Sequence, residues 1–89
     1  MNNYEAKIHD LNLWIEVYEE MHRRYSLEVK ELNSLRKKLK MLYYGSKKGL
    51  GEPIKRIKDE LTFAYERMSE ANTEILKLRL MIEELEEKL

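Results

Sequence analysis

From Ile54 to Leu89, apolar residues recur in alternating steps of three and four: Ile54, Ile57, Leu61, Ala64, Met68, Ala71, Ile75, Leu78, Ile82, Leu85 and Leu89. A strand repeats every two residues, so a run like this is a helix whose seam must lie against another helix. An earlier stretch keeps a similar register through Tyr4, Ile8, Leu11, Ile15, Tyr18, His22, Tyr25, Val29, Leu32 and Leu39, although Arg36 falls on the seam. Trp14, Met21, Leu35 and Leu42 widen that stripe on one flank. Such a width suits a helix bundle better than a strict two-stranded coil.

The segment between the two runs, GSKKGLGEP, holds all three glycines and the single proline. Asn2 followed by Glu5 reads as a capping box, Gly45 as a left-handed helix stop, and Pro53 as a first helical residue, where a missing N–H costs nothing. The sequence therefore predicts one domain over 1–89: a helix over 3–44, a loop over 45–52 and a helix over 53–89. Short connections between helices make antiparallel neighbours. The expected fold is all-α, an antiparallel two-helix hairpin with coiled-coil-like packing that dimerises into a four-helix bundle. Folding the chain about residues 48 and 49 sets Tyr25 at the level of Thr73 and Tyr18 at the level of Leu80. The small seam residues Ala64 and Ala71 then lie near the large aromatics. Helix 2 reaches Leu89 without a stop signal, as a segment of a longer coiled coil would.

Two helices make a thin core, and chains this short gain stability from disulfides, metals or oligomerisation. With no cysteine, disulfides are excluded. Leu13, Trp14, Val17 and Met21 on the first helix, and Leu76, Leu80 and Met81 on the second, belong to neither seam and fall at matching heights. They are the expected self-association or partner-binding residues, because a contiguous exposed apolar patch marks an interface.

Charge is segregated although the 17 basic and 17 acidic residues cancel. Residues 1–35 carry a net −3, residues 36–58 a net +8 and residues 59–89 a net −5. The basic stretch lies at the expected turn. Arg36, Lys37, Lys38 and Lys40 sit near the end of helix 1, where cations suit the macrodipole, whereas Lys55, Arg56 and Lys58 oppose the dipole at the start of helix 2. Rules broken without compensation are expected at functional sites. Lys47, Lys48, Lys55, Arg56 and Lys58 are thus the candidate residues for an anionic partner. The partner is the acidic end of a second hairpin, an acidic protein, or nucleic acid with Tyr43 and Tyr44 stacking on bases.

Catalytic chemistry is not indicated. The chain has no cysteine nucleophile, and KKGLG lacks the spacing of a nucleotide-binding loop and any preceding strand. Glu19 and His22 match the Glu-x-x-His spacing of di-metal carboxylate bundles, with Glu74 at about the facing level, which makes a di-metal four-helix bundle a remote alternative. His22 on the seam reads more simply as a register-fixing polar residue. No metal or cofactor is expected. The first residues show no basic patch followed by an apolar run, and no segment approaches a membrane span, so a cytoplasmic protein without membrane contact is expected. In size and plan the chain resembles the small secreted WXG-type proteins, but their Trp-x-Gly turn is absent, so the likeness is of architecture only and no family is assigned. The reading is a non-enzymatic homodimer that binds another macromolecule as an adaptor, assembly element, regulator or small protein inhibitor. The alternative is a nucleic-acid-binding protein using the basic tip.

Overall fold

The computed structural model describes residues 2–45 and 51–89, with the backbone alone for 43–45. Two helices, α1 over Asn3–Gly45 and α2 over Gly51–Glu87, pack along their length as a hairpin 66 Å long and 15 by 13 Å in section. The long dimension is that of α1 itself, since 43 residues at about 1.5 Å each span about 65 Å. No strand is present among the described residues.

Both helix starts are legible in their local chemistry. The backbone N–H of Glu5 donates to the Asn2 side-chain oxygen at 2.8 Å, and the N–H of Ala6 donates to the Asn2 carbonyl at 3.1 Å. Asn2 is therefore a working N-cap. α2 begins at Gly51, two residues before the expected start, so Pro53 is its third residue. The proline is still harmless there, because no N–H in the first turn has an intrahelical partner. α1 continues through Gly45, one residue past the expected stop. α2 ends at Glu87, not Leu89, and there the N–H groups of Lys88 and Leu89 each bond a carbonyl three residues back, which tightens the last turn.

The seams pack as their spacing requires. Near the turn, Val29 and Leu32 of α1 meet Ile57, Leu61 and Ala64 of α2, flanked by Tyr25, Leu39 and Met68. Toward the open end, Leu11 and Ile15 meet Ile75 and Ile82, flanked by Ile8, Tyr18, Leu78 and Leu85. Between these clusters the seam holds a half-buried His22 and a buried Ala71 that joins neither.

The register differs from the expectation. Tyr25 packs on the cluster that contains Ala64, with its ring edge-on to Phe63 at 6.4 Å. Tyr18 lines a shallow cavity together with Ala71. Both tyrosines thus meet α2 closer to the turn than Thr73 and Leu80, by about nine residues or about 13 Å of helix. The physical reason is steric. Ala64 and Ala71 are only 0% and 2% exposed, and their missing bulk makes room for the rings, so side-chain size sets the register more firmly than the length of the connection.

Candidate functional site

The hairpin has two unlike long sides. Residues seven apart share a position on a coiled-coil helix. Trp14, Met21, Leu35 and Leu42 therefore occupy one flank of α1, and Arg56, Phe63 and Glu70, with Arg67, Glu74 and Met81 beside them, occupy one flank of α2. These flanks face the same way: Trp14, Val17, Tyr18 and Met21 share a cavity with Arg67, Glu70, Ala71 and Glu74. On the opposite side, Glu19 and His22 share a cleft with Asn72, Ile75 and Arg79, and Asn33 and Arg36 share another with Lys58, Leu61, Thr62 and Tyr65. One side is thus aromatic and apolar, the other polar.

The apolar side is organised around rings. Trp14 is 56% exposed, tilted against Tyr18 with centroids 6.4 Å apart. The Arg67 guanidinium lies 4.9 Å above the half-exposed Phe63 ring and donates to Glu70 at 3.0 Å. Leu35, Leu42 and Met81 are exposed along the same side. Phe63 and its contacts escaped the sequence reading because it shares a heptad position with Arg56 and Glu70; the signal was its pairing with the flank already marked by Trp14 and Met21.

The seven expected contact residues do not form one patch. Trp14, Val17, Met21 and Met81 share the apolar side. Leu13 lines a neighbouring groove built from α1 residues alone, with Glu16, Glu20 and Arg24, which adjoins the apolar side through Val17 and Met21. Leu76 and Leu80, 61% and 60% exposed, line none of the cavities shared by the two helices that are described above. At about 100° per residue they point away from the seam marked by Ile75. Matching height along the hairpin therefore did not mean a matching face.

At the turn end, Lys55, Arg56 and Lys58 are exposed, and Lys47 and Lys48 lie outside the described residues, as do the side chains of Tyr43 and Tyr44. The macrodipole accounts for none of the described cations. The last turn of α1 has no basic residue, and the first turn of α2 carries Glu52, with Lys55 already the fifth residue. Dipole effects fade beyond one turn. Among the described residues, every ion pair lies elsewhere: Arg23 and Arg24 with Glu20, Arg67 with Glu70, and Lys77 with Glu74. Arg36, Lys37, Lys38, Lys40, Lys55, Arg56 and Lys58 have no carboxylate within pairing distance among those residues.

The di-metal alternative does not assemble within the hairpin. Glu19 and His22 line the polar side and Glu74 the apolar side, and no group of three potential ligands converges among the described residues. No described helix is long and apolar enough to cross a membrane. Comparison with family models, curated proteins and solved structures finds no match.

Proposed function

We propose that this hairpin is a non-enzymatic assembly element that pairs with a second copy of itself through the apolar side and presents the rest of its surface to another macromolecule. The observation that supports this most is the apolar flank of exposed Trp14, Leu35 and Leu42 and half-buried Met21 from α1, broken only at Glu28, with exposed Phe63 and Met81 from α2. Aromatic residues of this kind dominate interface energetics when covered. A second copy fits the strip on two grounds. The strip carries Arg67 beside Glu70 and Glu74, so across a two-fold axis each hairpin offers the other both a cation and carboxylates. The basic turn end and acidic open end also favour an antiparallel pair over a parallel one. Burying the strip in a four-helix bundle would supply the apolar area that a two-helix core lacks.

Mass in solution at two salt concentrations tests the reading. The wild-type chain is expected to be dimeric at tens of micromolar, and more weakly so at high salt. Trp14→Glu and Phe63→Glu should each give monomers, whereas Leu80→Glu, on an outward face, should remain dimeric. A monomeric wild type, or a dimer broken by Leu80→Glu and not by Phe63→Glu, refutes it.

A further inference from the structure

Arg36 is the one charged residue on either seam, where an apolar side chain would add stability. It is half-buried, and among the described residues no carboxylate pairs with it. It lines a cleft of about 330 Å³ on the polar side with Asn33 from its own helix and Lys58, Leu61, Thr62 and Tyr65 from α2. The Thr62 hydroxyl is already committed, donating to the Lys58 carbonyl at 3.1 Å, so it forms wall and not donor. The groups left for a ligand are a guanidinium, an ammonium, a carboxamide and a half-exposed phenol ring. By heptad position Lys37, Lys40 and Lys55, all exposed, fall on the same side.

We propose that the Arg36–Lys58 cleft binds a phosphodiester of single-stranded nucleic acid, with the Tyr65 ring stacking on an adjacent base. Two cations from different helices converge on one anionic group, and a guanidinium matches phosphate oxygens through paired N–H donors. The cleft is of a size for one nucleotide unit, at the lower end of the roughly 300–1,000 Å³ range of ligand pockets. The outlying lysines then meet neighbouring phosphates of a polyanion. An acidic peptide would satisfy the cations equally well but could use only the Tyr65 hydroxyl, whereas a base also uses the exposed ring face, which favours nucleic acid. The cleft lies on the side away from the Trp14–Phe63 strip, so a ligand held there leaves the strip uncovered.

Filter binding of an oligothymidylate of about twenty nucleotides across a salt series tests this, with helicity by circular dichroism confirming that each variant stays folded. The wild type should bind at low salt and lose affinity as salt rises. Arg36→Gln with Lys58→Gln should weaken binding tenfold or more and flatten the logarithmic salt slope by about 0.7, the loss of one phosphate contact. Tyr65→Ala should weaken binding about tenfold while leaving that slope unchanged. Arg23→Gln with Arg24→Gln removes the same charge away from the cleft and should change affinity little. Absence of binding at low salt overturns the proposal, as does equal loss from the two arginine–lysine and arginine–arginine pairs. Retained affinity in Tyr65→Ala, or displacement of the oligonucleotide by an equal charge of polyglutamate, does the same and assigns the cleft to an acidic protein.

Discussion

Glu20 accepts hydrogen bonds from both Arg23 and Arg24, with N–O distances of 2.9 Å to Arg23 Nε and 3.1 Å to Arg24 Nε. The Arg23 hydrogen bond, then the Arg24 one, holds its carboxyl at about 2, well below the ordinary 4.5, and the same contact raises Arg23. A depressed carboxyl stabilises the folded helix only while ionised. Its contribution is present above about 4.5 and is lost as pH falls from there toward about 2. The group is at the surface, so solvent and salt keep that contribution small. Titration of the Glu20 carboxyl by NMR should give a midpoint near the bottom of this range, and Arg23→Gln should move it up; an ordinary midpoint in the wild type would contradict the triad. At this scale the seam was fully legible, down to the two alanines that admit rings. Phe63 and Tyr65 were not, because each occupies a heptad position otherwise filled by charged or amide residues, and only the partner helix shows what the ring stands beside.

For the helices as elements, the seam of α1 has a weak point at His22, between the two core clusters and beside Asn72, Ile75 and Arg79. The imidazole is half-buried, has no hydrogen-bond partner among the described residues, and adds little apolar contact where contact is most needed. His22→Leu should join the clusters and raise stability by about 1 kcal/mol, half or so of the gain from fully burying a leucine. Thermal unfolding measures this; a lowered midpoint would mean that the histidine holds the register, as polar seam residues do in other coiled coils. Helix type, number and order followed from periodicity alone, and the ends fell within two residues of expectation. Register was less legible. The glycine-rich connection suggests where the chain folds but leaves the stagger free, and that stagger is decided by which bulky side chain meets which small one. Since the dipole argument needs charges in the terminal turn, a shift of two residues at the start of α2 was enough to remove it.

Over the whole molecule, a rod 66 Å long and 15 by 13 Å across has little interior, so what distinguishes it is how its surface is divided. The charges divide it lengthwise, and the apolar flank of Trp14, Met21 and Phe63 divides it side from side. The lengthwise division was plain in the sequence, because charge counts need no fold. The second was half legible: the flank of Trp14, Met21, Leu35 and Leu42 stood out, but Leu76 and Leu80 were grouped with it by height, and height says nothing about which way a helix face turns. Trp14 is the chain's only tryptophan and stands on the apolar side. Its intrinsic fluorescence therefore reports on that side alone. Emission should move to shorter wavelength as two chains come together and back to longer wavelength on dilution, whereas filling the Arg36–Lys58 cleft should leave it unmoved, so that an unlabelled sample can tell the two events apart in one cuvette.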